Sequence, residues 1–231
     1  MVTRSLRHTV ELLTREINQK SRDDFFLNLD SEYLSLFSPE QIASHLRQID
    51  EVSPSQPMRI KVESEGNNLF NITISAYDYF SEFAIICGIM TSFGLDVESG
   101  RIFTISSSNP LEEQNKILDV FKVRSSKKFR FNRVTQERFK TKLEDLVSLL
   151  DQNQLKRARE ETNKTVVEFL SKIQAPFIGK IYPVKINFNN RLSDRWTAME
   201  ISSRNTPAFL YAFSNALSMQ NLYIHKVNIE S

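Results

Sequence analysis

The sequence predicts an α+β fold in which helices cover a sheet assembled from split β-α-β units, preceded by a helical segment. Three observations carry this expectation. Asn71-Ile72-Thr73-Ile74-Ser75-Ala76 alternates as a strand and passes through the polar elbow Tyr77 to Ser81 into an apolar helix. That helix stops at Gly94, and Arg101-Ile102-Phe103-Thr104 follows as a second strand. The same grammar returns near the C-terminus: Ala198 to Ser203 leads into Asn205-Thr206-Pro207-Ala208-Phe209-Leu210 and then Leu222 to Val227. Self-similarity of this kind sets architecture before any site is considered.

In chain order, Val2, Leu6, Val10, Leu13 and Ile17 fall at spacings of three and four, which predicts an amphipathic helix over 2–19. Ser38, Pro39 and Gln41 spell a capping box with proline at the first helical position, and Phe37 and Ile42 stand at staple positions. Ser53-Pro54-Ser55-Gln56-Pro57 reads as a linker. From Arg59 the period becomes two, and Gly66-Asn67-Asn68 marks the turn of a hairpin. The helix over about 80–93 buries Phe80, Phe83, Ala84, Cys87, Met90 and Phe93, and Gly94 fits a left-handed helix stop. Strands are predicted near 95–106 and 116–124. Two helices follow, one marked by Phe139, Leu143, Leu146, Val147 and Leu150 and one ending near Ile173. A strand at Pro183 to Phe188 comes next, giving β-α-β-β-α-α-β from Leu69 onward, with helices on one face of the sheet. The expected divisions are 1–53 for the helical segment, 59–190 for a first unit with added helices, and 195–231 for the start of a second.

Composition restricts function. The 231 residues are 40% hydrophobic and 25% charged, with a formal charge of +2. That balance argues against nucleic acid as a main partner, and the one dense basic run, Arg124 to Arg130, reads as a solvated turn. The single cysteine, Cys87, reads as a small buried hydrophobe among isoleucines. No apolar run reaches the ~20 residues of a membrane span, so a cytoplasmic location is expected. Five scattered glycines build no phosphate loop. His8, His45 and His225 lie far apart, and no nucleophile-base constellation can be argued from spacing. No catalytic residue, metal site or cofactor is expected, and neither nucleotidyltransferase nor hydrolase activity.

Taken together, Asp78 to Phe83, Gly88, Gly94, Arg101-Ile102-Phe103-Thr104 and Asp119-Val120-Phe121 resemble the ACT domain, a small amino-acid-sensing module. Phe188-Asn189-Asn190 with Ser193-Asp194 and Thr197 is similar to the join between the tandem ACT domains of bacterial PII uridylyltransferases. Ser31 to Leu34 and Ser38 to His45 resemble the segment before that tandem. The resemblance runs from about Phe25 to Ser231 and implies ferredoxin-like β-α-β-β-α-β units. It implies a regulatory region of a nitrogen-metabolism nucleotidyltransferase, of the PII uridylyltransferase or glutamine synthetase adenylyltransferase kind, with glutamine as ligand. The elbows would hold that ligand: Asp78, Tyr79, Phe80 and Ser81 in the first, Asn205 and Ala208 in the second. Both depart from the family pattern, which has Asp-Arg-Pro-Gly. Phe80 and Ser81 replace Pro and Gly in the first; Asn205, Thr206 and Ala208 replace Asp, Arg and Gly in the second.

Two functions stay open. One is a sensor in which an amino acid binds at an elbow and shifts the tandem. The other is a ligand-free interaction module that dimerises or docks on a catalytic domain of the same protein. The second unit, with only a strand, a helix and a strand after Thr197, is expected to leave an unpaired edge that a partner or a C-terminal extension completes.

Overall fold

A computed structural model describes residues 4–29, 31–106, 114–126, 128–173, 183–191 and 194–230. Helix α1 (Arg4–Leu13) ends earlier than the apolar stripe predicts. The Thr14 hydroxyl donates to the Val10 carbonyl at 2.7 Å, and the Arg22 guanidinium donates to the carbonyls of Thr14 and Ile17 at 2.9 and 2.8 Å. Those bonds satisfy the helix end, and Asn18 caps the new helix α2 (Gln19–Asn28) by accepting from Ser21 N–H. After α3 (Ser31–Leu36), helix α4 (Pro39–Asp50) opens on the predicted capping box, with both reciprocal bonds made. His45 is buried, and its Nδ1 shares a hydrogen bond with the buried Tyr33 hydroxyl at 2.8 Å.

The chain then forms β1 (Met58–Gly66), β2 (Leu69–Tyr77), α5 (Glu82–Ser92), β3 (Leu95–Ile105) and β4 (Lys116–Ser125). Helices α6 (Arg133–Asp151) and α7 (Leu155–Lys172) follow, then β5 (Lys185–Asn189), β6 (Ala198–Ser202), α8 (Phe209–Met219) and β7 (Val227–Glu230). Asn67 and Asn68, both at positive φ, make the hairpin turn between β1 and β2. The five-stranded sheet has the order β1-β2-β4-β3-β7, and every neighbouring pair is antiparallel. Strand β4 therefore lies between β2 and β3, the two strands that α5 connects.

Two expectations need correction. The sheet is covered on both faces, not one. Helices α5, α6 and α7 pack on the side of Ile74, Ile102, Ile117 and Phe121, while Phe25, Tyr33, Ile42 and Leu46 of the N-terminal helices pack on Phe103, Ile105 and Leu118. Residues 53–57 form a tight turn, and the Gln48 amide donates to Arg59 and Thr73 carbonyls, which ties α4 to the sheet. The strand at 183–188 does not complete this sheet either. Strand β1 already occupies the outer edge of β2, and β5 pairs with β6 in a separate two-stranded sheet.

The sequence repeat has a structural counterpart. Helices α5 and α8 are each 11 residues long. A shift of 127 positions carries Ser81 onto Ala208 before these helices and Gly94 onto Asn221 after them, and all four have positive φ. Each helix follows an antiparallel hairpin and leads to a strand, and the two final strands, β3 and β7, pair with each other. In that pairing Arg101 faces Asn228, Gly100 faces Ile229 and Ile102 faces Val227. The same shift turns Arg101 into Asn228, Gly100 into Val227 and Ile102 into Ile229, so the pairing maps onto itself. The Cys87 thiol meets the hydroxyl of its own equivalent, Ser214. An approximate two-fold axis thus runs through Arg101–Asn228 and Cys87–Ser214. Among the described residues, the first repeat alone has a strand, β4, between its two connected strands.

Gly88 lets the helices approach. A Cβ there would lie 2.5 Å from Thr162 Cγ2 and 2.9 Å from Tyr211 Cδ2. Gly88→Ala is expected to destabilise the fold by about 1–3 kcal/mol through overpacking, measured by urea unfolding. Ala208 sits at φ 63°, strained for any residue with a Cβ and relieved by none of the side-chain bonds open to Ser81. Ala208→Gly is expected to raise stability by about 1 kcal/mol in the same measurement.

Candidate functional site

The first elbow opens into a small cleft of about 40 Å³, open to solvent on one side. Its walls come from both repeats: residues 78–84 on one side, and Ser214, Ser218 and Leu222 to Ile224 on the other. Ile102, Ile117 and Asp119 of the sheet form the floor.

The backbone of the elbow is held from three directions. Asp78 N–H donates to the Asn115 carbonyl at 2.8 Å, and Tyr79 N–H donates to Glu82 Oε2 at 3.3 Å. The Tyr79 hydroxyl reaches α6 and donates to Asp151 Oδ1 at 2.7 Å. Ser81 takes the left-handed conformation at φ 74°, and its carbonyl accepts from Ile85 N–H as the helix begins. Its hydroxyl shares a hydrogen bond with Ser218 of α8. Arg159 of α7 donates to Ser81 Oγ at 2.8 Å and to the Ser218 carbonyl at 3.0 Å, and lies over the Phe80 ring. Ser81, Ser218 and Arg159 therefore fasten the two repeats to the added helix at the edge of the cleft.

Three carboxyl groups converge here. Glu82 is 3% exposed and Asp119 is 1% exposed. Glu82 Oε1 and Asp119 Oδ1 have no hydrogen-bond partner. Asp78 accepts from the Tyr223 hydroxyl. Burial raises all three acids: Asp78 to about 6, Glu82 and Asp119 well above the carboxylate range. After burial, the Asp119 and Asp78 charges also push Glu82 up, and Asp78 does the same to Asp119.

The structure places Asp78, Tyr79, Phe80 and Ser81 at one cleft and does not bring Asn205 and Ala208 into it. The second elbow makes the counterpart contact instead. Asn205 Nδ2 donates to Asp96 Oδ1 at 2.9 Å, and the repeat shift carries Asp78 onto Asn205 and Asp96 onto Tyr223. Ala208 packs beside Cys87, Val166 and Tyr211. Glu82, Asp119, Arg159, Ser218 and Tyr223 escaped the sequence reading. Asp119 alone left a signal, as an acid inside the apolar strand Ile117-Leu118-Asp119-Val120-Phe121. The buried Cys87 thiol is raised above its ordinary value by burial, which fits its reading as an inert hydrophobe.

Among the described residues no group of His, Cys, Asp and Glu is arranged to hold a metal ion, and no helix is long and apolar enough to cross a membrane. Comparison with protein-family models, with curated proteins and with solved structures gives no match.

The raised acids have a consequence for stability. A carboxyl that holds its proton more tightly folded than unfolded stabilises the fold at low pH, and that stability is lost as pH rises through the folded value. For Asp78 the window runs from 3.8 to about 6, and Glu82 and Asp119 act with the same sign. The melting temperature is expected to fall between pH 4 and pH 7, and to fall less in Asp78→Asn. Thermal unfolding across that range checks it.

Proposed function

We propose that this chain is a regulatory, non-catalytic amino-acid-sensing region of the ACT type, with glutamine as ligand by resemblance to the tandem region of bacterial PII uridylyltransferases. In that reading the β2-α5-β3-β4 segment is the core of one ferredoxin-like unit, and β6-α8-β7 is part of a second. The observation that carries it is the left-handed backbone at both Ser81 and Ala208. These are the positions at which the resembled family has glycine. A residue with a Cβ holds that conformation at a cost of roughly 1–2 kcal/mol, and the chain does so twice, 127 positions apart.

The site of first choice is the first elbow, with Asp78 and Ser81 at the start of α5 and Tyr79 or Phe80 as a wall. Helix N–H groups and the positive end of the helix dipole suit a ligand carboxylate there. Because the cleft has one wall from each repeat, a ligand in it stabilises the arrangement that presents both walls. That is how occupancy would reach a catalytic domain, in a cytoplasmic nucleotidyltransferase of nitrogen metabolism, with no nucleic acid or membrane involved.

A second reading, a docking or dimerisation module without ligand, is favoured by exposed apolar side chains on the second repeat. Ile186 and Phe188 of β5 are 45% and 68% exposed, and Met219, Leu222 and Tyr223 are also exposed. Patches of this kind mark interaction surfaces. Calorimetric titration of the purified chain with glutamine separates the two. Saturable binding that weakens at least tenfold in a correctly folded Asp78→Ala variant is the expected result. Unchanged affinity in that variant removes the first elbow as the site, and absence of binding beside self-association in light scattering supports the docking reading.

A further inference from the structure

Glu82 and Asp119 are acids that the fold itself leaves unanswered. Asp119 lies on the α5-facing side of the central strand β4, paired with Ile74 of β2 on one side and Ile102 of β3 on the other. Glu82 comes down from the first turn of α5 onto the same floor, with one oxygen on Tyr79 N–H and the other free. Both side chains line the elbow cleft. Purely structural acids at such depth find an arginine, a lysine or a set of N–H donors, because an unpaired buried acceptor carries its full desolvation cost. Here the charges that bear on the pair come from other acids. Orphaned buried polar atoms facing a cleft ask for a ligand that donates.

We propose that Glu82 and Asp119, with Asp78 at the mouth, are the seat of a primary ammonium group, so that the first elbow takes an amine or the ammonium end of a zwitterion. This deepens the sensing role proposed for the elbow and rests on it for the identity of the ligand. An ammonium carries three N–H donors, and Glu82 Oε1 and Asp119 Oδ1 are two acceptors without partners. A metal ion is the poorer occupant, since these acids are not arranged as a metal-binding group among the described residues. The opposite end of a zwitterion has a matching cation. Arg159 reaches the cleft's edge through Ser81 and Ser218, hydroxyl and carbonyl partners that leave its charge unneutralised.

Binding is a proton-coupled step. Burial makes these carboxyls hold a proton more tightly than usual; when the ammonium arrives at a protonated carboxyl, the O–H bond breaks, the proton passes to solvent and the carboxylate pairs with the ammonium. One proton is released for each such carboxyl, and no other reactant is needed.

The test uses the whole chain with side-chain carboxyl carbons labelled, followed by NMR titration. The probes are ethylammonium, glutamine, its des-amino counterpart 4-carbamoylbutanoate, and tetramethylammonium, which has no N–H. Ethylammonium and glutamine are expected to lower the titration midpoints of Glu82 and Asp119 by about one pH unit or more, equivalent to tenfold preference for the charged form. The other two probes leave them in place. Calorimetry in buffers of different ionisation enthalpy is expected to show proton release with glutamine, lost in Asp119→Asn and Glu82→Gln. Glutamine binding with unmoved midpoints, and with equal affinity in both variants, overturns the ammonium seat and leaves the sensing role. Midpoints moved by ethylammonium while glutamine fails to bind support the seat and overturn glutamine as the ligand. Midpoints moved by neither probe, with no glutamine binding in calorimetry, overturn both.

Discussion

Four residue pairs between β3 and β7 hold the two repeats in relation, and the cleft depends on them. Together with the Ser81–Ser218–Arg159 contacts and the packing of Tyr211 on Gly88, that ladder sets α8 beside α5 and over the first elbow. The ladder is reinforced where it is shortest. Arg101 donates to the Ile229 carbonyl at 3.1 Å and to Glu230 at 2.9 Å, Thr104 donates to the His225 carbonyl at 3.0 Å, and Lys226 reaches Glu32 of α3 at 2.8 Å. Gly100 admits the strand: a Cβ there would lie 2.8 Å from Ile229 Cδ1. A pairing of four residues is weak by itself; it is clamped at both ends by side chains and backed by the α5–α8 contact at Cys87 and Ser214.

The approximate symmetry makes the differences between the repeats informative. Equivalent contacts join Asp78 to Tyr223 and Asn205 to Asp96, so each elbow touches the strand-entry residue of the other repeat. Among the described residues, only the first elbow has a strand from its own repeat, β4, beneath it, and that strand brings an acid, Asp119, under the helix start. The second elbow has Asn205 where the first has Asp78 and a bare methyl where the first has the Ser81 hydroxyl. Chemistry able to hold a charged ligand is therefore concentrated on one side of the axis, although the backbone repeats the elbow on both.

Much of this was legible in the sequence, for local reasons. The capping box at Ser38, the asparagine turn, the stop at Gly94 and the two elbows are each dictated by residues within one turn of chain. What the sequence withheld was non-local. Alternation marks 183–188 as a strand but says nothing of its partner, and β1 had already taken the edge that β5 was expected to fill. The stripe from Val2 to Ile17 fits one long helix; a single guanidinium from α2, Arg22, takes the carbonyls past Leu13 and turns the chain. The apolar residues of β4 divide between two faces, Leu118 toward the N-terminal helices and Ile117 and Phe121 toward α5. A sheet buried on both sides shows this as a continuous apolar run, which hides the second layer of helices.

The same burial explains why Asp119 matters more than its neighbours suggest. On a half-exposed sheet an acid in the middle of β4 would sit in water and need no account. Between two helical layers it is closed off, and Glu82 is brought down beside it by the elbow that the left-handed Ser81 creates. The strain at Ser81 and the unanswered carboxyls are thus linked. Relaxing the elbow would lift the start of α5, let water reach the acids and remove the pocket's asymmetry. A strained backbone at Ser81 and two buried oxygens without partners, on Glu82 of α5 and Asp119 of β4, thus meet at one place in the fold.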